Sequence, residues 1–266
     1  MKWTVGIITA PRPQGFYLDA TINTLKRAGW KDMTVFAEPG STISDCDITV
    51  VRRRKTYGDW TNWATALYDL LLSEPDTDYF FMLEDDAEIC PGARAYVEYA
   101  LPQLGTFGFL SIYTPCKYHK PNRFRMFHNE CAGICTWSTI TVIMSKDAVI
   151  KFFSDEQVQR HRFSDLDLVN ANNFRASYGR GRTSVTDCVG NTVKDAVLGR
   201  WADKHHLPVF FHTPSLTEHT GYHSTLTDDF ATIENLRRSK DFVGDLDVSQ
   251  WVGETIIVKQ HQGISI

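Results

Sequence analysis

Three acids stand in a row at Glu84-Asp85-Asp86, directly after the apolar run Tyr79-Phe80-Phe81-Met82-Leu83. Adjacent carboxylates repel, and holding them where a buried strand emerges is costly unless a cation or hydrogen bonds compensate. In open α/β sheets, ligands bind outside the carboxyl ends of the strands. A divalent ion placed there would be held by hard oxygen ligands and would bridge the phosphates of a nucleotide. The plainer alternative is a turn with solvated acids. Against it stand the apolar strand before the triplet and Ile89 after it, ahead of Pro91-Gly92.

Other chemistry-bearing residues lie far away in sequence. His212, His219 and His223 crowd into one short segment beside Gly221 and Ser224. Neutral imidazole is a borderline metal ligand, and imidazolium pairs with phosphate. Asp195 sits near the start of a helical stretch, where an acid is also favoured by the helix dipole alone. Arg12 follows the first strand and could pair with a phosphate or with Asp85. Basic residues interleave with aromatics at Arg52 to Lys55 with Tyr57 and Trp60, at Lys117 to Arg125, and at Arg175, Arg180 and Arg182. Such groups can track a phosphate backbone or stack on bases, and equally suit a diphosphate donor or a solvated face.

The elements that must position these residues alternate between strand and helix. Trp3 to Ile8 reads as a strand that runs into Thr9-Ala10-Pro11-Arg12-Pro13. Leu18, Ile22 and Leu25 recur at helical spacing until Gly29 stops them. Strands follow at 33–37 and 48–51, then a helix carrying Trp63, Leu67 and Leu70 that closes at Pro75. Further strands are predicted at 79–83, 109–113, 139–144 and 208–212, and helices at 146–153, 192–205 and 230–238. The stretch 170–187, rich in Asn, Arg, Gly and Ser, reads as a loop. Alternating strands and helices, some strands continuously apolar, predict an α/β domain with a mostly parallel central sheet covered on both faces. With no repeat and no convincing linker, residues 1–266 read as one domain.

On the acidic triplet and its setting the chain resembles the GT-A fold glycosyltransferases, whose hallmark is Asp-x-Asp or Glu-Asp-Asp at the end of a central strand. The Glu-Asp-Asp form is similar to that of N-acetylglucosaminyltransferases. The segment His212-Thr213-Pro214-Ser215-Leu216 to His219-Thr220-Gly221-Tyr222-His223-Ser224 is similar to one in the branching N-acetylglucosaminyltransferases and their bacterial and viral relatives. The resemblance implies a Rossmann-like sheet and a sugar-nucleotide donor, a UDP-sugar above all. It makes Asp86 the ligand of Mn²⁺ or Mg²⁺ and puts Glu84 and Asp85 at the sugar-nucleotide. It gives Thr9, Ala10, Pro11 and Arg12 to the base and ribose, His219 to the metal or diphosphate with His212 in reserve, and Tyr222 and Ser224 to the donor. Asp195, or alternatively Asp187, becomes the general base of an inverting transfer. Residues 1–115 would then be the nucleotide-sugar half, 116–226 the acceptor half and 227–266 a tail. The acceptor implied is a glycan or, as in phage relatives, a hydroxymethylated DNA base. A non-catalytic sugar-nucleotide or glycan-binding module of the same fold is the alternative.

Whole-chain properties narrow the field. A chain of 266 residues with a formal charge of −4 and a pI of about 6.1 has no global pull toward nucleic acid or anionic membrane. Met1 to Ile8 is too short an apolar run for a signal peptide, and no stretch reaches the ~20 apolar residues of a membrane span. The expectation is a cytoplasmic protein, in the host cytoplasm if phage-encoded. Six cysteines spread along the chain, with only Cys131 and Cys135 close together, suggest buried thiols ahead of zinc or disulfides. No phosphate-binding loop, zinc-protease motif or serine elbow occurs, and Gly179-Arg180-Gly181 lacks the context of a dinucleotide fingerprint.

Overall fold

The computed structural model describes residues 1–12, 17–44, 47–130, 139–161, 194–221 and 238–259. Its elements in chain order begin with β1 (Trp3–Thr9), α1 (Leu18–Ala28), β2 (Thr34–Ala37), β3 (Thr49–Arg52) and α2 (Gly58–Ser73). Next come β4 (Tyr79–Glu84), β5 (Ala87–Ile89), α3 (Ala93–Leu104), β6 (Phe109–Ser111), β7 (Met126–Asn129) and β8 (Thr141–Ser145). The last are α4 (Lys146–Ser154), α5 (Glu156–His161), α6 (Lys194–Lys204), β9 (Val209–Thr213), β10 (Thr217–His219) and β11 (Ile257–Lys259).

Among the described residues nine strands form one sheet in the order β11-β7-β9-β6-β8-β4-β1-β2-β3. Strands β3, β2, β1 and β4 are parallel neighbours, and β6 pairs parallel with β9. Only β8, β7 and β11 run the other way. The mostly parallel α/β sheet expected from the sequence is therefore present. The order reverses between β1 and β4, so their carboxyl ends diverge into a crevice of the kind that receives ligands. The register sets Ile8 beside Glu84, which brings Thr9 level with the acidic triplet.

Strand parity divides the core in two. Val5, Ile7, Phe81 and Leu83 face the layer of α1 and α3, with Leu18, Ile22, Leu25, Tyr96 and Val97. Ile8, Phe80 and Met82 face the layer of α2, α4 and α6, with Trp60, Trp63, Phe152 and Trp201. Gly6 lies under that second layer. A Cβ there would come within 2.7 Å of Met82 Sδ and 2.8 Å of Leu70 Cδ1, so α2 seats closely only because residue 6 has no side chain.

Helix α1 stops at Gly29, as the sequence predicts. That residue takes φ 108°, and its N–H reaches the carbonyls of Leu25 and Lys26. Helix α3 was not expected, although Tyr96, Val97, Ala100, Leu101 and Leu104 recur at helical spacing and are buried. Its Pro102 falls in the last turn, where it removes the hydrogen bond that an N–H would make to the Glu98 carbonyl. The short strands β5, β7, β10 and β11 were also missed. At three or four residues each, they carry too little periodicity to be read alone. The stretch read as a helix at 230–238 lies outside the described residues except for its last position.

Candidate active site

The two carboxylates that close the triplet are buried at the crevice. Asp85 is 4% and Asp86 1% exposed. Thr9, at the end of β1, donates its hydroxyl to Asp85 Oδ2 at 2.5 Å. One nitrogen of Arg12 lies 2.6 Å from Asp85 Oδ1 and 2.9 Å from Asp86 Oδ2. From α1, Thr21 donates to the Asp85 carbonyl at 2.8 Å, and its hydroxyl accepts the Ala87 N–H at 3.2 Å. Nothing in the sequence marked Thr21; only the docking of α1 against β5 reveals it.

His219 is brought to Asp86 by a strand pair. Strand β10 runs antiparallel to β5, and His219 pairs with Ala87. The pairing continues one residue further, where Thr220 N–H and hydroxyl both donate to the Asp86 carbonyl, at 2.8 and 2.9 Å. The His219 ring then donates from Nε2 to Asp86 Oδ2 at 3.0 Å. Gly221 lies against this pair. A Cβ on it would stand 2.1 Å from Asp86 Oδ2 and 3.1 Å from His219 Nε2, so the carboxylate or the imidazole would have to move. Gly221→Ala is accordingly expected to push His219 off Asp86 and to cost roughly 1–3 kcal/mol of stability, the usual penalty of overpacking. Urea denaturation of the two proteins checks this; an unchanged midpoint would show that the backbone there yields.

Electrostatics separates the two acids. Burial, with the neighbouring Asp86 charge, lifts Asp85 to about 6 in spite of Arg12. For Asp86 burial acts the same way, but His219 and then Arg12 outweigh it and hold the carboxyl below its ordinary range. Both partners converge on Oδ2, while Oδ1 of Asp86 is buried with no hydrogen-bond partner. A buried carboxylate oxygen left unpaired is costly and needs an explanation.

Glu84 goes the other way. Its place in β4 puts it on the same face as Phe80 and Met82, and there it accepts from Lys194 Nζ at 2.5 Å. Lys194, the first residue of α6, is 1% exposed and lies 3.3 Å from Asp59 Oδ1 in α2. Burial raises Asp59 to about 6 against the pull of Lys194, with Glu84 and Asp195 adding to the rise. Asp195 follows Lys194, and its Oδ1 accepts the Thr139 N–H at 3.1 Å and the Thr139 hydroxyl. The triplet is thus shared between two faces, Asp85 with Asp86 on one and Glu84 with Lys194, Asp59 and Asp195 on the other. Lys194 and Asp59 were not singled out from the sequence, because only the packing of α6 on α2 brings them together.

The other expected residues fall into place around this frame. Ala10 is half-buried and Pro11 exposed in the loop after β1. Arg12 and Asp85 line a small cleft there with Tyr17, Thr42 and Ser44. His212, the reserve histidine, is no neighbour of Asp86. It is fully buried among Tyr96, Phe127 and Trp251. Its Nδ1 donates to the Pro214 carbonyl at 2.6 Å, so Nε2 accepts from the Tyr96 hydroxyl at 3.0 Å. Burial drives its pKa down to about 3, which fixes it as a neutral core residue. Asp187, Tyr222 and Ser224 lie outside the described residues, as do Cys131 and Cys135. A larger open cavity than this cleft lies elsewhere, at the amino ends of β1 to β3 between Trp3, Met33 and Leu70, and holds none of these groups.

Among the described residues no cluster of three His, Cys, Asp or Glu side chains is arranged to hold a metal. Asp86 and His219 can still serve an ion that arrives with its substrate. Mg²⁺-type sites commonly use one or two protein ligands and fill the remainder with phosphate oxygens and water. The unpartnered Oδ1 of Asp86 is the atom that fits such a role.

No protein-family model matches the chain, and no curated protein matches it in sequence. Among solved structures, S. aureus TarS superposes with a TM-score of 0.39 at 12% identity, covering 58% of this chain and 29% of TarS. A nucleotidyl transferase from Methanothermobacter superposes with a TM-score of 0.41 at 10% identity, covering 80% of this chain and 88% of that one. The chain thus spans under a third of TarS. Likenesses this distant leave the functional reading to the site itself. No helix among the described residues is long and apolar enough to cross a membrane.

Proposed function

We propose that the chain is a glycosyltransferase that moves a sugar from a nucleotide-diphosphate donor, a UDP-sugar above all, to an acceptor hydroxyl. The observation that carries the reading is Asp86, a buried and ionised carboxylate with one oxygen unpaired, at the carboxyl end of β4 where the strand order reverses. Asp86 would hold Mn²⁺ or Mg²⁺, with His219 as a second ligand in its neutral form or as a cation toward the diphosphate. The ion, when bound, supplies positive charge to the leaving diphosphate. Thr9, Arg12 and Asp85 would receive the nucleoside at the cleft after β1, and Glu84 would reach the donor from the opposite face. Tyr222 and Ser224 complete the donor residues of this proposal.

Asp195 would take the proton of the acceptor hydroxyl as that oxygen attacks the anomeric carbon, giving inversion; Asp187 is the alternative base. The two hydrogen bonds from Thr139 fix the direction of its carboxyl group. The acceptor is a glycan or a hydroxymethylated DNA base. Of the cations that could track a DNA backbone, Arg53 is tied to Asp69, Lys120 to Glu130 and Arg125 to Glu254. The division into a nucleotide half, an acceptor half and a tail, and a cytoplasmic site of action, belong to the same proposal.

The test is thermal unfolding with UDP-, GDP-, CMP- and dTDP-sugars, each with Mn²⁺ and with EDTA. A donor at ~100 times its dissociation constant adds about 2.7 kcal/mol, a rise of several degrees for a chain of this size. Stabilisation by one nucleotide class that EDTA abolishes is the expected result. No shift with any donor would refute the proposal. Stabilisation without slow release of free nucleotide from the donor would point to a binding module.

A further inference from the structure

Arg12 stands where a divalent ion would feel it most. A single nitrogen of its guanidinium touches Asp85 at 2.6 Å and Asp86 at 2.9 Å, and the side chain is only 11% exposed. Tyr17 lies 5.4 Å from the guanidinium carbon and helps to hold it there. The same Arg12 lines the cleft beside the loop after β1 together with Asp85, whereas Asp86 does not line it. Asp86 Oδ2 is already taken by Arg12 and His219, and only Oδ1 remains for a newcomer.

We propose that Arg12 is a resident cation that keeps divalent metal off Asp86 until a nucleotide diphosphate is present. The inference rests on the reading of Asp86 as a metal ligand. A dication held by Oδ1 would share its carboxylate with the guanidinium on Oδ2, and the two positive charges would repel. With Arg12 in place one of the two negative charges of the acids is already offset, and the ion alone is poorly held. A diphosphate changes both terms. Its negative charge restores attraction for the metal, and its oxygens accept the paired hydrogen bonds that the planar guanidinium fork donates. Metal and nucleotide therefore bind with positive coupling, and the coupling passes through one side chain.

The experiment is a Mn²⁺ titration followed by the electron paramagnetic resonance signal of free Mn²⁺. It uses the full chain and the variants Arg12→Gln and Arg12→Lys, each with and without UDP. Gln keeps a hydrogen-bonding group between the acids but removes the charge; Lys keeps the charge and loses the fork. Without UDP, Arg12→Gln is expected to bind Mn²⁺ at least tenfold more tightly than the unaltered chain, whereas Arg12→Lys binds as weakly. With UDP the unaltered chain is expected to gain at least tenfold, and Arg12→Gln much less. Equal Mn²⁺ affinity of Arg12→Gln and the unaltered chain without UDP would overturn the role of Arg12 and leave the metal site standing. Tight Mn²⁺ binding by the unaltered chain alone would do the same without relying on any variant. Absence of Mn²⁺ binding by every form, with UDP included, would overturn both.

Discussion

Replacing Asp86 with Asn is expected to lower sugar transfer by about 10³-fold, the loss seen when one preorganised electrostatic group is removed from a transition state. The amide keeps the shape of the carboxylate and can still accept from Arg12 and from His219. It cannot supply the charge that a divalent ion requires. Asp85 and Asp86 also repel each other in a buried site, so the substitution relieves one unfavourable term as it removes two favourable ones. Stability is therefore expected to move by no more than about 2 kcal/mol. Turnover with the stabilising donor and a urea midpoint, measured on the same preparation, separate the two effects. Near-normal turnover would remove Asp86 from the chemistry. A large drop in midpoint would recast it as a structural residue.

The substitution Lys194→Met should act the other way, on the fold first. Lys194 is buried between Glu84 and Asp59, with Asp195 adjoining, and its own pKa is raised once those acids outweigh the cost of burial. Methionine fills much of the stem's volume but leaves two acids facing each other without a cation. Breaking a buried pair in this way costs about 3–5 kcal/mol. The deficit should depend on pH. Asp59 already titrates at about 6 in the folded chain, above its ordinary 3.8, so its ionisation withdraws stability as pH rises through that value. Without Lys194 the ionised form is penalised further. The stability gap is then largest at pH 7 to 8 and narrows near pH 5, where Asp59 is protonated. Urea unfolding at pH 5 and 7.5 measures both numbers. A gap below about 1 kcal/mol, or one that ignores pH, would show that the ion cluster contributes little.

These two residues also show how far the sequence reached. Asp86 was legible because an apolar strand, an acidic triplet and a further apolar residue form a local pattern, and local pattern suffices to place a strand end. The α/β class, the stop of α1 at Gly29 and the strands from β1 to β4 were legible for the same reason: hydrophobic periodicity and glycine chemistry act over a few residues. Lys194 carried no such mark. A lysine at the start of a helix is ordinary on a surface, and only the seating of α6 on α2 buries it. His212 and His219 make the same point. Their segment drew both toward the acids, yet β9 carries His212 into an aromatic core while β10 turns His219 onto Asp86.

By itself the sequence determined the longer strands and helices with clear periodicity, that the sheet would be mostly parallel, and that three acids sit at the end of a central strand, while α3 and the short strands β5, β7, β10 and β11 escaped it. The division of those acids was decided in three dimensions, because alternation along β4 sends Glu84 to the α2 and α6 layer and leaves Asp85 and Asp86 at the crevice beside β1. The return of His219 and Gly221 to Asp86 was decided there too. That contact depends on a three-residue strand pairing and joins residues 133 apart in the chain, a sequence separation over which no local propensity carries information.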